Sequence, residues 1–227
     1  FYDCEQNDVT EGMRDFVQQY IWDDEQLTTE TAKLKFDFMT NAQSLLHGDL
    51  HTGSILVKED AMKVFDPEFA FYGPAGYDVG NVIANLIFAY VNALYTIEGE
   101  EQRTDYLSYL EDTITSIIPL FTEKFRKLWD EKATERTAGN AIFKEWYIAS
   151  IIEDTAAVTG LELCRRIIGL AHVKDITSIE DVEKRVLAEK ICLVAGKAFI
   201  LEQANIRTGE DFGRILRNSV EGAIICQ

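Results

Sequence analysis

Basic residues are scarce in this 227-residue sequence, which has 22 Lys and Arg against 39 Asp and Glu and a formal net charge of −17. A surplus of negative charge on this scale argues against nucleic acid or an anionic membrane as the main partner. It does not exclude a phosphorylated substrate, because a bound cation and a few placed Arg or Lys side chains set the local field.

The sequence also lacks an uninterrupted apolar run of the ~20 residues that a membrane span requires. Residues 82–95 come nearest, but Asn85 and Asn92 interrupt them. No signal peptide is visible. We therefore expect a protein that is not embedded in a membrane.

Paired cysteine motifs are absent, because the four cysteines are scattered and form no C-x-x-C. Two of them lie among apolar residues in helical patterns, which predicts buried free thiols and a reducing, cytoplasmic location rather than secretion. The four are Cys4, Cys164, Cys192 and Cys226.

Internal repeats, low-complexity tracts and long linkers are missing as well, so residues 1–227 are expected to form one α+β unit that is predominantly α-helical. The clearest helix has an apolar stripe from Val79 to Leu94 and is predicted to be the central buried helix. Other helices are predicted at about 10–21 (capped by Thr10), 29–41 (Phe38 inward), 101–129 (kinked or broken near Pro119), 134–158 (Ile142 and Trp146 inward), 160–170, 178–205 (Ser178 and Asp181 at its start) and 208–220 (Thr208 and Asp211 at its start).

Residues 45–81 concentrate the chemistry of the chain. Apolar segments around Ile55 and Val64 flank the polar turn 58–61, which indicates a β-hairpin. One acidic loop enters this hairpin with Asp49, and another leaves it with Asp66. Antiparallel pairing is expected to bring these two carboxylates close together, an arrangement that favours a divalent cation and phosphate between them.

The order H-G-D, hairpin, D-x-E and G-x-D-x-G resembles the catalytic and metal loops of the protein-kinase-like superfamily. Three segments are similar to the 5-methylthioribose kinases in particular. They are H-G-D-L-H-T-G-S-I, then D-P-E-F-A-F-Y-G-P-A-G-Y-D-V-G, and later R-R-I-I-G-L-A-H-V. Related small-molecule kinases usually have Asn five residues after the catalytic Asp, where this chain has Ser54. The departure matches the methylthioribose kinase pattern, as does Asp66-Pro67-Glu68.

The resemblance implies a role for each residue of these loops. Asp49 would be the catalytic base on the anomeric hydroxyl of methylthioribose, and Asp66 and Glu68 would bind Mg²⁺ on the phosphates of ATP. His47 and Asp78 would support the catalytic loop. The alternatives are a loop-capping Asp49 and a solvated acidic turn at Asp66.

Three further assignments complete the predicted site. Arg165 and Arg166 resemble the family's substrate-binding pair, although adjacent helical residues point about 100° apart, so both reach one site only near a helix end or bend. A surface pair is the alternative. His51 could line the sugar site, and Ser54 could be a weak metal ligand or a plain turn residue.

Other functions remain open at this point. His47, Asp49 and His51 superficially resemble zinc-hydrolase ligands, but only His172 could add to them. Another small-molecule kinase, of aminoglycoside or choline type, is the runner-up, although no aromatic cage for choline is obvious. A truncated kinase lobe that acts only as an interaction module is the non-enzymatic alternative.

The sequence shows no glycine-rich phosphate loop and no strand-borne Val-x-x-Lys, and it begins with Phe1 rather than Met. We therefore expect the C-terminal lobe of a kinase-like fold, with the catalytic and metal loops at 45–81, the helical substrate-binding part at 82–227 and an N-terminal ATP lobe outside this sequence. The resemblance also implies a homodimer.

Overall fold

The computed structural model describes residues 2–225, most of which are helical, with two small antiparallel sheets. This confirms the predicted, mostly helical α+β class. The helices are α1 (Arg14–Val17) with a π-helical turn (Gln18–Trp22), α2 (Glu25–Thr40), α3 (Tyr77–Thr96), α4 (Glu100–Lys132), α5 (Ala141–Ile168), α6 (Lys174–Thr177), α7 (Val182–Glu202) and α8 (Gly209–Ile225). The strands are β1 (Ser44–Leu46), β2 (Ile55–Lys58), β3 (Ala61–Val64) and β4 (Phe71–Gly73), and 3₁₀ turns lie at Thr52–Ser54, Arg136–Gly139 and Gln203–Asn205.

Helix α3 is the central helix, as its apolar stripe predicts. It packs against α4, α5 and α7 and completely buries Ile83, Ile87 and Val91. By length and composition alone α3 could cross a membrane, but half of that segment is buried inside the structure. Its apolar surface is therefore used largely in packing against the neighbouring helices.

The helix break predicted before Gly160 is wrong, because α5 runs without interruption from Ala141 to Ile168. Gly160 is instead the point where α5 meets α7. A Cβ on Gly160 would lie 2.5 Å from the carbonyl oxygen of Gly196, and one on Gly196 would lie 3.0 Å from the carbonyl oxygen of Gly160. The glycines permit close approach of two backbones, which sequence periodicity alone does not distinguish from a helix end.

The break considered at Pro119 is also absent, since α4 continues through it from Glu100 to Lys132. Proline has no N–H, so the carbonyl of Thr115, four residues earlier, loses its partner within the helix. That carbonyl faces the start of α8, where a Cβ on Gly209 would lie only 1.8 Å from the Thr115 oxygen. The two helices therefore pack directly at the site of the missing hydrogen bond.

Three side chains predicted to point inward are exposed. Ile142 is 83% exposed and Trp146 is 62% exposed, because the buried face of α5 starts at Ile148. Phe38 is 42% exposed, although its ring lies 5.3 Å from the ring of Phe71. All three positions lie near a helix end, where packing against neighbouring elements covers the side chains only in part.

Two helix starts differ from their predictions. Thr10 does not cap a helix; its hydroxyl donates to the Glu189 carboxylate at 2.6 Å, and the regular helix begins only at Arg14. Helix α7 begins at Val182 rather than Ser178, with Asp181 accepting the backbone N–H of Glu183 at 3.0 Å.

The capping box predicted for α8 is present. The Thr208 hydroxyl accepts the Asp211 N–H at 3.3 Å, and the Asp211 carboxylate accepts the Thr208 N–H at 2.9 Å. Such reciprocal bonds satisfy donors at a helix start that lack partners inside the helix.

The cysteines follow the prediction where the structure describes them. Cys164 and Cys192 are fully buried free thiols, and burial raises the pKa of Cys164 to about 12 and that of Cys192 well above its usual value. Cys4 is free and exposed, whereas Cys226 lies outside the described residues. The buried thiols are therefore inert core groups rather than nucleophiles.

Candidate functional site

Two short sheets hold the predicted loops. The hairpin of β2 and β3 pairs Ile55 with Val64 and turns at residues 59–60, which confirms the predicted hairpin. A second ladder, not predicted, pairs β1 with β4 and places Leu46 opposite Phe71. Leu46 and Phe71 are cross-strand partners. The residue that follows β1 and the residue that precedes β4 are therefore neighbours in space. The ladder therefore closes the base of the whole 47–70 segment.

Asp78 fixes the first loop from the first turn of α3. Its carboxylate accepts the backbone N–H of His47 at 2.6 Å and that of Gly48 at 3.1 Å. Asp78 therefore binds the loop rather than capping its own helix. Hydrogen bonds to a charged acceptor are among the stronger ones in proteins.

The two loops touch through Gly48 and Phe69. Gly48 has a φ of +87°, and a Cβ there would lie 2.2 Å from the carbonyl oxygen of Phe69. Only glycine meets both requirements, a left-handed backbone and a close approach. The middle residue of H-G-D is therefore required for the contact between the two acidic loops.

The ring of His47 links the same two loops. Its Nε2 donates to the carbonyl oxygen of Phe65 at 2.8 Å, while its Nδ1 lies 3.4 Å from the backbone N of Asp49. A carbonyl only accepts and an amide N–H only donates, so the ring carries its proton on Nε2. His47 thus connects the loop that carries Asp49 to the residue before Asp66.

Asp49 lies between a cation and a second histidine. Its Oδ1 is 3.8 Å from Nη2 of Arg166, and its Oδ2 is 3.9 Å from Nε2 of His51. His51 Nε2 also lies 3.3 Å from the hydroxyl of Ser54, which is buried. Asp49 itself is 37% exposed, so the carboxylate is open to an incoming molecule.

Glu162, which sequence reasoning missed, joins the two predicted arginines. Its carboxylate accepts Nε–H of Arg166 at 2.7 Å on one oxygen and Nε–H of Arg165 on the other. Glu162 is only 3% exposed, whereas Arg165 remains 44% exposed. An acidic residue three and four positions before the Arg pair on one helix was the available signal.

The Arg pair lies near a helix end, where the side chains of adjacent residues can reach one site. Arg165 and Arg166 lie in the last turn of α5, which ends at Ile168. Both point toward Glu162, but only Arg166 approaches Asp49 within 4.0 Å. The structure therefore brings Arg166 close to the candidate base Asp49. Arg165 is linked to Arg166 only through the carboxylate of Glu162.

Asp66 and Glu68 lie on the exposed second loop. Asp66 has a φ of +68°, the only positive φ of a non-glycine residue among those described. A strained conformation of this kind is often found at ligand sites.

The donor set fits Mg²⁺ better than a closed metal site. Within residues 2–225, no group of three His, Cys, Asp or Glu side chains is placed to hold a metal ion. This speaks against the zinc arrangement of His47, Asp49 and His51, which needs three or four protein ligands. Mg²⁺ is commonly held by one or two carboxylates together with substrate phosphates and water. Asp66 and Glu68 can provide the carboxylates.

A cavity of about 340 Å³ lies beside the Arg pair, between α2 and α5. Tyr77, Glu162 and Arg165 line it, as does Asp154, whose Oδ2 is buried without a hydrogen-bond partner. Burial raises the pKa of Tyr77 and, with smaller effects of Glu153 and Asp37, raises the pKa of Asp154 to about 7. Perturbed carboxyl groups in a pocket mark candidate functional positions.

Comparison with known proteins places this chain in a family. The family described as "Phosphotransferase enzyme family" matches residues 5–120, half of the chain, including both acidic loops and Asp78. The chain belongs to the phosphotransferase enzyme family.

Several relatives of this chain carry the name methylthioribose kinase. The chain is 37% identical over 221 residues to a methylthioribose kinase of Bacillus pumilus, covering 97% of this chain and 53% of that protein. It is 40% identical over 215 residues to one of Geobacillus thermodenitrificans (95% and 52%), and 37% identical over 209 residues to methylthioribose kinase 1 of Oryza sativa subsp. japonica (86% and 47%). The chain spans about half the length of these curated relatives.

Proposed function

We propose that this phosphotransferase transfers the γ-phosphoryl group of ATP to the anomeric 1-hydroxyl of 5-methylthioribose. The product is 5-methylthioribose 1-phosphate, an intermediate of methionine salvage. The observation that carries the proposal is the open carboxylate of Asp49, set between Arg166 and His51 in a chain similar to methylthioribose kinases. An oriented carboxylate of this kind can accept the proton of an attacking hydroxyl.

Each candidate residue then has a separate task. Asp49 aligns and deprotonates the acceptor hydroxyl, while Arg166 and Arg165 bind sugar oxygens or offset charge on the moving phosphoryl group. His47 and Asp78 hold the catalytic loop, which their hydrogen bonds support. Positioning and electrostatics supply most of the catalysis in phosphoryl transfer.

Asp66 and Glu68 would hold Mg²⁺, which neutralises charge on the β- and γ-phosphate oxygens. Their open position on the second loop leaves room for phosphates to complete the coordination. Ser54 is turned toward His51, which supports a role in orienting that ring rather than a direct role at the metal. His51 would in turn lie beside the acceptor.

We further propose that residues 1–227 act as the C-terminal, acceptor-side lobe of a protein-kinase-like enzyme. A second lobe outside these residues would provide the phosphate-covering loop and its lysine. The excess of acidic residues and the buried thiols are compatible with a cytoplasmic enzyme. A homodimer is proposed on family resemblance alone.

The test measures ADP release with Mg-ATP and methylthioribose, using two proteins. One is the 227-residue chain, and the other is the chain fused behind the part of the Bacillus pumilus relative that it does not match. We expect the fusion to turn over at a rate within the usual ~1–100 s⁻¹ of kinases and the chain alone to be far slower. Nuclear magnetic resonance of the product would identify the 1-phosphate.

The matched variants are Asp49→Asn and Asp60→Asn. Both remove one exposed carboxylate, but Asp60 lies at the hairpin turn in an ion pair with Lys58. Asp49→Asn should lower kcat by about 10²–10⁴-fold, the range for loss of a general base, and Asp60→Asn should not. Equal activity of the two variants would refute the role of Asp49, and phosphorylation of aminoglycosides or choline instead of methylthioribose would refute the substrate.

A further inference from the structure

The cavity between α2 and α5 has walls of a kind that suits an apolar group. Its apolar lining consists of Leu34, Phe38, Pro74, Ala157, Val158 and Leu161. The volume of about 340 Å³ is at the lower end of the range for ligand pockets, which fits a small molecule or one part of it. A pocket with an apolar body and few polar groups gains affinity from the apolar contact and orientation from the polar groups.

A series of contacting side chains connects the cavity to the candidate base Asp49. Arg165 and Glu162 line the cavity, and the second oxygen of Glu162 holds Arg166. Arg166 Nη2 is in turn 3.8 Å from Asp49 Oδ1. Tyr77 also lines the cavity, and burial raises its pKa; the charges of Glu162 and, to a smaller extent, Asp49 act in the same direction, whereas the charge of Arg165 opposes them. Neighbouring side chains therefore connect the cavity to Asp49.

We propose that this cavity binds the apolar, non-reacting end of the acceptor while a hydroxyl of the same molecule lies at Asp49. The chemical class is a hydroxylated ring that carries a short thioalkyl or alkyl substituent. The inference rests on the proposed function, because it assigns a subsite within the same acceptor site. It adds the residues that set the length and polarity of the accepted substituent: Leu34 on α2 and Leu161 on α5.

The unpartnered oxygen of Asp154 is compatible with this occupant. Oδ2 of Asp154 is enclosed and has no hydrogen-bond partner among the described residues. Its neutral, protonated form persists to about pH 7, despite Lys35 and Arg165 elsewhere on the lining, because burial and the charges of Glu153 and Asp37 oppose ionisation. A neutral carboxyl can donate a hydrogen bond, and a thioether sulfur is a weak acceptor. A cationic substituent would instead select the ionised form.

The test measures acceptor binding to the 227-residue chain by calorimetry, which requires no ATP. The probes are 5-methylthioribose, 5-deoxyribose, a 5-propylthio analogue and a 5-(2-aminoethylthio) analogue. Leu34→Trp fills the cavity from α2 and Leu161→Phe fills it from α5, whereas Leu34→Ala enlarges it. Leu120→Trp is the matched control, because Leu120 is 50% exposed on α4 and does not line the cavity.

We expect Leu34→Trp and Leu161→Phe to weaken methylthioribose binding at least tenfold and 5-deoxyribose binding less than twofold. This agrees with the discrimination of about 10–200-fold that one small apolar group provides in a pocket. Leu34→Ala should improve binding of the propylthio analogue relative to methylthioribose, and Leu120→Trp should change neither. Two filling variants on different helices guard against misfolding of one, which thermal melting would reveal.

Other outcomes separate the two proposals. If methylthioribose binds but the filling variants weaken both sugars equally or not at all, the cavity is not the subsite and the proposed function stands. Tighter binding of the aminoethylthio analogue than of methylthioribose would overturn the apolar assignment in favour of a cation site at Asp154. If no sugar binds, this inference fails, and turnover of methylthioribose by the fusion protein decides separately whether the proposed function stands.

Discussion

The carboxylate of Asp78 accepts the backbone N–H of His47 at 2.6 Å, although 31 positions separate the two residues. Asp78 belongs to the first turn of α3, the central helix of the core, whereas His47 begins the loop that presents Asp49. The bond therefore holds the loop that carries Asp49 against the rigid core. Catalytic groups on loops need this kind of support, because small displacements cost large factors in rate.

Removing this support should affect both stability and activity. Asp78→Ala leaves the N–H groups of His47 and Gly48 without their acceptor, which costs about 1–3 kcal/mol for a buried donor. We expect the free energy of unfolding, measured with urea, to fall by that amount. Asp78→Asn keeps one acceptor oxygen and should lose less, and an unchanged unfolding midpoint for Asp78→Ala would contradict the role of this bond.

Glu162→Gln should separate the two arginines. The amide keeps the shape of the side chain but removes the charge that both guanidinium groups share, and it adds donors next to donors. We expect acceptor binding to the chain to weaken about tenfold or more, because Arg166 loses the partner that holds it near Asp49. Stability should fall by about 1–3 kcal/mol, at or below the range for breaking a buried pair, since Arg165 is largely exposed.

The matched control for this change is Glu145→Gln. Glu145 binds Arg126 in an exposed pair at 2.6 Å on another part of the surface. Exposed pairs contribute about 0–1 kcal/mol, so this variant should unfold and bind acceptor almost as the unsubstituted chain does. Calorimetry and urea unfolding of both variants make the comparison, and parallel losses in the two would show that charge removal alone is responsible.

The parts of the site that sequence predicts well are those held by local pattern. The hairpin follows from alternating apolar segments around a polar turn, and the loops follow from its position. The β1–β4 ladder was not predictable, because each strand has only three residues and their pairing spans the entire loop segment. Glu162 was missed for a related reason, since its burial between two arginines depends on packing of α5 against other helices.

The errors in the fold also come from tertiary contacts. Gly160 looks like a helix end in sequence, but it is the crossing point of α5 and α7. Pro119 looks like a break, but the carbonyl that it leaves unbonded lies against Gly209 of α8. Neither residue ends its helix, and in both cases a neighbouring helix packs closely against it.

The glycine crossing can be tested against a glycine with no neighbours. Alanine is favoured over glycine in a helix by about 1 kcal/mol. Gly160→Ala should nevertheless destabilise the protein, because its Cβ would lie 2.5 Å from the backbone oxygen of Gly196. Gly222→Ala, on α8 with nothing within 4 Å, should stabilise it by up to about 1 kcal/mol in urea unfolding. A gain in stability for both variants would contradict the close crossing.

Asp154 predicts how stability changes with pH. Its pKa is about 7 in the folded chain against a usual value of 3.8, mainly because burial disfavours the charged form. Between these values the folded state holds a proton that the unfolded state has released, so stability falls as pH rises from about 4 to about 7. The loss is at most about 4 kcal/mol for the full shift. Asp154→Asn should be more stable than the unsubstituted chain at pH 8 and should lose this slope, whereas an identical pH dependence in urea unfolding would exclude Asp154 as its source.

Asp66 offers a way to separate backbone strain from metal binding. Its φ of +68° lies in the left-handed region, which Asn tolerates as readily as Asp. Asp66→Asn should therefore fold normally but raise the Mg²⁺ concentration needed for half-maximal activity of the fusion protein by tenfold or more, because a neutral amide is a weaker ligand than a carboxylate. Asp66→Gly should relieve the strain and increase stability. It should raise the Mg²⁺ concentration needed for half-maximal activity in the same way, because glycine has no carboxylate. Asp60→Asn provides the control for charge. If Asp66→Asn and Asp60→Asn show the same Mg²⁺ requirement, Asp66 is not a metal ligand, and its positive φ belongs to the turn alone.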